Sequence, residues 1–155
     1  MIPRLPPTTT TVECIADGLG SNSTLMKIDL SHCSLGDGGI STLAQSLGSR
    51  NTTLQKLTID WNGITSTGVG VLLETMEQSS HHITDLDLKR NPLGNEGANL
   101  LATSLGNNAL PNLTRLSLPD ECGIRDDGFI ALVSALEQST SLLELDLRNS
   151  ILFSE

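Results

Sequence analysis

The residues most able to do chemistry in this 155-residue chain are its three cysteines and three histidines. Thiols and imidazoles act as nucleophiles, bases or metal ligands only when they face a suitable partner. His32 and Cys33 are neighbours in sequence, but side chains alternate along a strand, so the two point to opposite faces and cannot form a dyad. His81 and His82 fall in a turn before a strand, which is typical of a solvated turn. The sequence therefore predicts no enzyme, no metal site and no cofactor.

The elements that position these residues are set by a repeated pattern of aliphatic residues. The pattern I/L-x-x-I/L-x-I/L occurs five times, at intervals of 29 or 30 residues. Its occurrences begin at Leu25, Leu54, Ile83, Leu113 and Leu142. Alternating apolar residues predict a short strand, and a constant period predicts a repeat architecture. The chain has 28 leucines and only three aromatic residues, which favours one small packing unit used repeatedly.

The second half of each unit has the spacing of a helix. In four units a glycine is followed by aliphatic residues four positions apart, at helical spacing. Two positions before each glycine stands a residue suited to cap a helix N-terminus: Asp37, Ser66, Asn95 and Asp126. We predict that each unit is a strand, a turn and a helix of about ten residues. Stacked units then form a parallel sheet with all helices on one side.

The sequence pattern L-x-x-L-x-L-x-x-N/C-x-I/L, with its period of 29 or 30 residues and its helical second half, resembles the leucine-rich repeat of the ribonuclease-inhibitor-like subclass. The resemblance spans Leu25 to Leu152. It implies an α/β fold, a right-handed leucine-rich repeat solenoid forming a horseshoe segment, with the parallel sheet on the concave face and helices on the convex face. We expect a flexible Pro/Thr leader over residues 1–11 and a single repeat domain over residues 12–155. That domain begins with a partial helix and ends with a partial repeat from 142.

The ninth position of the motif holds a small polar residue in every unit. In the family this residue points inward and bonds backbone groups of the turn, which forms a ladder between repeats. The ladder residues predicted here are Cys33, Asn62, Asn91, Cys122 and Ser150. Cys122 takes this position because the fourth unit carries one extra loop residue. Asn, Cys and Ser all carry a hydrogen-bond donor, so Cys33 and Cys122 are predicted to be structural rather than reactive.

Outward-pointing strand residues form four columns on the predicted concave face. Six of the nine basic residues fall there, among acidic residues. Trp61 is the only tryptophan, a residue type enriched in binding hot spots, and Arg90 and His32 flank it. One interpretation is a recognition surface centred on Trp61, and the other is a solvated face whose charges pair across strands. The predicted partner-binding residues are Trp61, Arg90, His32, Asp60, Lys89, Asp87, Asp120 and Arg115.

The predicted function is a non-catalytic module that binds a protein or peptide partner on its concave face. Two alternatives follow from the resemblance, because the same repeats occur in the Ran GTPase-activating protein and in NACHT-type receptors. These alternatives are a regulator of a small GTPase and a sensor fragment of a larger receptor. A net charge of −9 disfavours nucleic acid as a partner. No apolar run approaches the roughly 20 residues that a membrane span needs, so no membrane partner is expected.

Cysteine use and the two ends of the chain add two further expectations. Three cysteines and an N-terminus without a signal-peptide core predict a cytoplasmic location, with a nuclear one as the other option. The last apolar residues form a strand without a following helix: Leu142, Leu145, Leu147, Leu152 and Phe153. An open apolar edge of this kind predicts self-association through the C-terminal end.

Overall fold

A computed structural model describes residues 9–49, 51–79, 82–118 and 122–148, in which five helices alternate with five short strands. The helices are α1 (Thr9–Ser21), α2 (Gly36–Ser49), α3 (Ser66–Gln78), α4 (Gly94–Gly106) and α5 (Asp126–Leu136). The strands are β1 (Lys27–Asp29), β2 (Lys56–Thr58), β3 (Asp85–Asp87), β4 (Arg115–Ser117) and β5 (Glu144–Asp146). The predicted alternation is confirmed. The helices have 11 to 14 residues, slightly more than expected.

The strands form one parallel sheet in chain order, from β1 to β5. The central residues of successive strands are paired in register: Ile28, Leu57, Leu86, Leu116 and Leu145. Among the described helices, each one contacts only the helix before it and the helix after it, so the helices form a single layer. The helices α2 to α5 each connect one strand to the next, because parallel strands need a crossover connection. The result is the expected α/β solenoid. None of the described helices is long and apolar enough to cross a membrane.

The core lies between the sheet and the helix layer and is almost entirely aliphatic. Leu57, Leu86 and Leu116 at the strand centres are fully buried, as are the helix residues Leu43 and Leu101. One continuous cluster of buried residues runs from α1 to α5. Truncating a fully buried leucine typically costs 2–5 kcal/mol, roughly, because a cavity remains. The repeated leucine positions therefore supply the main stabilisation of each unit.

Two details of the predicted layout are wrong. The helix α1 begins at Thr9, so the last three residues of the predicted leader are helical. The predicted N-cap residues lie inside the first helical turn instead of before it: Asp37, Ser66, Asn95 and Asp126. Two of them, Asp37 and Asn95, instead accept hydrogen bonds from backbone N–H groups at the start of the helix in the next repeat. Neither of these bonds between repeats can be predicted from the residue spacing within one repeat.

Caps between repeats crowd two of the four recurrent helix glycines, Gly68 and Gly128, whereas Gly39 and Gly97 are crowded by the leucine four residues earlier. Asp37 Oδ1 accepts hydrogen bonds from the backbone N–H groups of Thr65, at 2.8 Å, and Gly68, at 3.1 Å. A Cβ on Gly68 would lie only 2.4 Å from that same oxygen. Asn95 Oδ1 likewise accepts from Arg125 N at 2.7 Å, and a Cβ on Gly128 would lie 2.9 Å from it. At these two positions glycine therefore leaves room for the cap provided by the preceding repeat.

Candidate functional site

The candidate site is the sheet face that points away from the helices, which we call the concave face. Strand register sets its first column as Lys27, Lys56, Asp85, Arg115 and Glu144. It sets the second column as Asp29, Thr58, Asp87, Ser117 and Asp146. Beyond the strand ends lie Ser31, Asp60, Lys89 and Arg148 in a third column, and His32, Trp61 and Arg90 in a fourth. The predicted contact residue Asp120 and the predicted ladder residue Ser150 are outside the described residues.

The first column is a chain of alternating charges across four strands. Lys56 Nζ lies 3.0 Å from Asp85 Oδ2, and Arg115 Nη1 lies 3.5 Å from the same oxygen. Arg115 Nη2 then reaches Glu144 Oε2 at 2.7 Å, and this hydrogen-bonded pairing raises the pKa of Arg115. Lys27 stands beside Lys56 in register, and none of the described carboxylates lies within ion-pair distance of its ammonium group. At β1 the column therefore ends on Lys27, which has no ion-pair partner among the described residues.

On β1, β3 and β5, the aspartate of the second column bonds the third-column residue two positions later. Ser31 donates to Asp29, and Lys89 Nζ lies 3.1 Å from Asp87 Oδ2. Arg148 donates to both carboxylate oxygens of Asp146, at 2.9 and 2.7 Å. This pairing lowers the pKa of Asp146 to about 2. Each aspartate thus fixes the residue two positions later at the strand exit.

Trp61 sits at the centre of a cluster on the rim of the concave face. His32 stacks on its indole, with ring centroids 5.2 Å apart and an interplanar angle of 28°. The Arg90 guanidinium carbon lies 5.9 Å from the indole centroid. Asp60 joins the two flanking residues, because its Oδ2 lies 3.3 Å from Arg90 Nη1 and 4.0 Å from His32 Nε2. The side chain of Trp61 nevertheless remains 53% exposed. We call these four residues the rim cluster.

The backbone of the rim cluster has an uncommon conformation at three equivalent positions. His32, Trp61 and Arg90 have φ values of 59°, 50° and 52°. A residue with a Cβ pays roughly 1–2 kcal/mol to adopt this left-handed conformation. Bonds between repeats hold it, since His32 N donates to Asp60 O at 2.9 Å and Trp61 N donates to Lys89 O at 3.1 Å. The surrounding turns therefore enforce a geometry that these side chains do not favour.

Buried amides directly behind the rim cluster hold those turns. Asn91 Oδ1 accepts from the backbone N–H groups of Asn62, at 2.9 Å, and Ile64, at 3.1 Å. Its Nδ2 donates to the carbonyls of Ile59, Leu88 and Lys89. Asn62 makes the equivalent bonds to the turn of the first repeat. The side chains of both asparagines are thus saturated with backbone partners.

The two cysteines at ladder positions differ from asparagine in what they can bond. Cys122 is buried, its Sγ lies 3.8 Å from Leu88 O, and its own carbonyl accepts from Gly94 N at 2.9 Å. Asn62 O accepts from Gly36 N in the same way, so Cys122 occupies the equivalent position despite the extra loop residue. Cys33 Sγ lies 3.5 Å from Ser31 O. No three potential metal ligands come together within the described ranges.

The described residues of the predicted site thus fall into three groups. His32, Asp60, Trp61 and Arg90 are in mutual contact, while the Asp87–Lys89 pair is a neighbouring unit. Arg115 lies apart from the rim cluster in the first column, where it bonds Glu144 and Asp85. The sequence prediction omitted the residues that complete this network: Lys56, Asp85, Glu144 and Asp146. The alternating signs of the in-register first column were the signal that could have identified most of them.

Comparison with known proteins places these repeats in a family. The model of the Leucine Rich repeat family matches residues 21–44, 50–73 and 79–102. The ribonuclease inhibitor of Mus musculus is 31% identical over 143 residues, which are 91% of this chain and 31% of that protein. The human NACHT, LRR and PYD domains-containing protein 13 is 30% identical over 133 residues, covering 86% of this chain and 12% of that protein.

Among solved structures, the actin-binding site 2 of leiomodin-1 superposes with a TM-score of 0.75 at 13% identity. The superposition covers 95% of this chain and 83% of that one, and at this identity it shows the shared fold. The chain spans about a third of the length of the ribonuclease inhibitors that it matches. With its period, parallel sheet and single helix layer, the chain belongs to the leucine-rich repeat proteins and is of the ribonuclease-inhibitor-like subclass.

Proposed function

We propose that this chain is a non-catalytic module that binds a protein or peptide partner on its concave face, in the cytoplasm or nucleus. The observation that carries the proposal is the rim cluster, in which a half-exposed tryptophan is held between His32 and Arg90 above Asp60. Family membership supports a protein ligand, because the related ribonuclease inhibitors are named for acting on a protein.

The rim cluster has the physical properties of a binding hot spot. Its indole is oriented by neighbours on two sides, so little side-chain entropy is lost when a partner covers it. Asp60 Oδ1 and Asp85 Oδ1 are buried and, among the described residues, lack a hydrogen-bond partner. The other oxygen of each carboxylate lies in an ion pair, so both acidic groups are fixed in position on the concave face. These features favour a partner that offers hydrogen-bond donors beside an apolar contact.

The charge distribution sets the class of partner. Within the described residues, the concave face holds six basic residues: Lys27, Lys56, Lys89, Arg90, Arg115 and Arg148. It also holds six acidic residues: Asp29, Asp60, Asp85, Asp87, Glu144 and Asp146. The face is therefore neutral, and the rest of the chain, with twelve acidic and three basic residues, carries the net charge of −9. A mixed-charge protein surface complements this face better than a polyanion does.

The test is affinity capture with the wild-type chain and with a Trp61→Ala/Arg90→Ala double variant. A Glu74→Ala/Gln78→Ala variant, which alters an exposed pair on the outer surface of α3, is the matched control. We expect the wild type and the control to capture the same partner. For that purified partner, Trp61→Ala alone should weaken binding by about 2 kcal/mol or more, roughly 30-fold.

A defined probe accompanies the capture experiment. Purified ribonuclease, the protein named in the ribonuclease inhibitors, is titrated against the same three chains by calorimetry. Binding lost only in the rim variant would identify ribonuclease as a ligand of the concave face. Equal affinity of the rim variant and the wild type for every captured partner would contradict the proposal and place the site on the helices.

A further inference from the structure

The outer flank of α5 exposes apolar residues that are covered in every preceding repeat. Val133 and Leu136, five and eight residues after Gly128, are 56% and 37% exposed. The matching residues of α2, α3 and α4 are at most 7% exposed, and are Ala44 and Leu47, Leu73 and Met76, and Ala102 and Leu105. In those repeats the next helix covers them. Ile130 adds a third exposed apolar side chain to the same helix.

The first described helix presents the complementary half of a repeat. The buried residues Val12, Ala16 and Leu19 of α1 match Ile40, Ala44 and Leu47 of α2, so α1 is a repeat helix. Within the described residues no strand precedes it, and the edge of β1 opposite β2 is unpaired. Its outer flank carries exposed Cys14 and Gly18, and a Cβ on Gly18 would meet no atom within 4 Å. This flank therefore has room for the larger side chains of α5.

At the other end, β5 is a repeat strand with no described helix after it. Within the described residues, the edge of β5 opposite β4 and the edge of β1 opposite β2 are both unpaired. We infer that this chain self-associates head to tail, with α1 of a second copy packing on the outer flank of α5 while β1 of the second copy pairs with β5. This inference is independent of the proposed function, because it involves the two ends of the sheet rather than the rim cluster.

Charge complementarity along the first column supports this partner. Glu144 would stand beside Lys27 of the second copy, about 4.8 Å away strand to strand, and would extend the alternating column across the junction. In the isolated chain Lys27 has only Lys56 beside it in register. In the second column Asp146 would face Asp29 of the second copy. That contact is tolerable because Arg148 neutralises the first carboxylate and Ser31 bonds the second.

A contact between the two different ends of a molecule is heterologous, so it adds copies one after another and does not form a two-fold symmetric dimer. The expected species are therefore chains of increasing length as concentration rises, rather than a single closed dimer. Wild-type protein is examined by sedimentation velocity over a range of concentrations. Val133→Lys, at an exposed position whose counterparts in α2, α3 and α4 are buried, should keep the fold by circular dichroism and abolish association. Ser134→Lys, whose counterparts Gln45, Glu74 and Thr103 are exposed in every preceding repeat, is the control and should associate normally.

A crosslink tests the geometry. A Cβ on Gly70 of α3 would lie 3.5 Å from Leu100 Cδ1 of α4, so a residue two positions after the repeat glycine faces one three positions after it in the next helix. By that correspondence, Ile130 faces Cys14 of the second copy. Under mild oxidation, Ile130→Cys should form disulfide-linked oligomers that disappear when Cys14→Ser is added. Asn99→Cys, with Ala131 at the matching position on α5, should stay uncrosslinked.

Exchanging the charges of Lys27 and Glu144 tests whether β1 of one copy pairs with β5 of another. Lys27→Glu and Glu144→Lys should each weaken association at least tenfold, and the double variant should restore it. Because the two residues lie about 19 Å apart within one chain, the restored attraction must act between two copies. A monomeric wild type at all concentrations would overturn the inference. Crosslinking of Ile130→Cys that survives Cys14→Ser would indicate tail-to-tail pairing and would also overturn it.

Discussion

At the scale of single residues, Trp61 combines an unfavourable backbone conformation with an exposed side chain. Its φ of 50° suits glycine better than any residue with a Cβ. A residue selected only for stability would not be a tryptophan in such a turn, whereas a strained residue at an exposed rim is a common feature of functional sites. The strain is thus an argument for recognition that is independent of the exposed area.

The first prediction follows from that conformation. Trp61→Gly and Trp61→Ala remove the same indole, so their difference isolates the backbone. We expect the glycine variant to be more stable than the alanine variant by about 1 kcal/mol, because alanine keeps the left-handed strain. Urea unfolding measures the difference. At Glu74, inside α3, the same pair should have the opposite sign, since glycine is the poorer helix former. Equal stability at position 61 would show that the turn relaxes when the indole is removed.

The sequence was sufficient to predict which residues share the rim, but not how they interact. Strand periodicity and the repeat length place His32, Trp61 and Arg90 at equivalent positions on adjacent repeats. The carboxylate of Asp60 shared by two of them depends on side-chain rotamers set by three separate turns. The left-handed backbone was equally unreadable, because glycine or asparagine, the usual sequence signals for it, is absent at these positions.

At the scale of elements, the repeat is defined by contacts that cross from one unit to the next. The alternation of strand and helix is local and was predicted from periodicity alone. The N-caps were predicted wrongly because Asp37 and Asn95 reach the following helix instead of their own. A pattern within one repeat cannot distinguish these options, since both place the same residue type at the same spacing. Only the distance between stacked units decides between them.

The second prediction compares two glycines of α3. Gly68→Ala should destabilise the chain by about 2 kcal/mol, because its Cβ would lie 2.4 Å from Asp37 Oδ1 and 2.8 Å from Ile40 Cγ2. Gly70→Ala meets only Leu100 Cδ1, at 3.5 Å, and should stabilise by up to about 1 kcal/mol through helix propensity. Chemical denaturation of both variants supplies the comparison. If both were stabilising, the cap from Asp37 would be dispensable.

At the scale of the whole molecule, the described elements form a one-dimensional stack in which each repeat contacts only its neighbours. The stability of such a stack approximates a sum over repeats and their interfaces, so repeats with one neighbour open more easily than repeats with two. Burial reflects this gradient. Leu116 at the centre of β4 is fully buried, whereas Leu145 at the equivalent position of β5 is only partly buried.

The last prediction unites this gradient with the head-to-tail inference and is measured by amide hydrogen exchange. In dilute protein, amides of β5 and α5 should exchange faster than those of β2 and β3, because partial opening there exposes less apolar surface. Raising the concentration should then slow exchange in α1, α5 and β5 together, since one junction covers all three. Val133→Lys should remove the concentration effect while keeping the gradient. Slower exchange in α5 and β5 but not in α1 would instead indicate that two copies meet tail to tail.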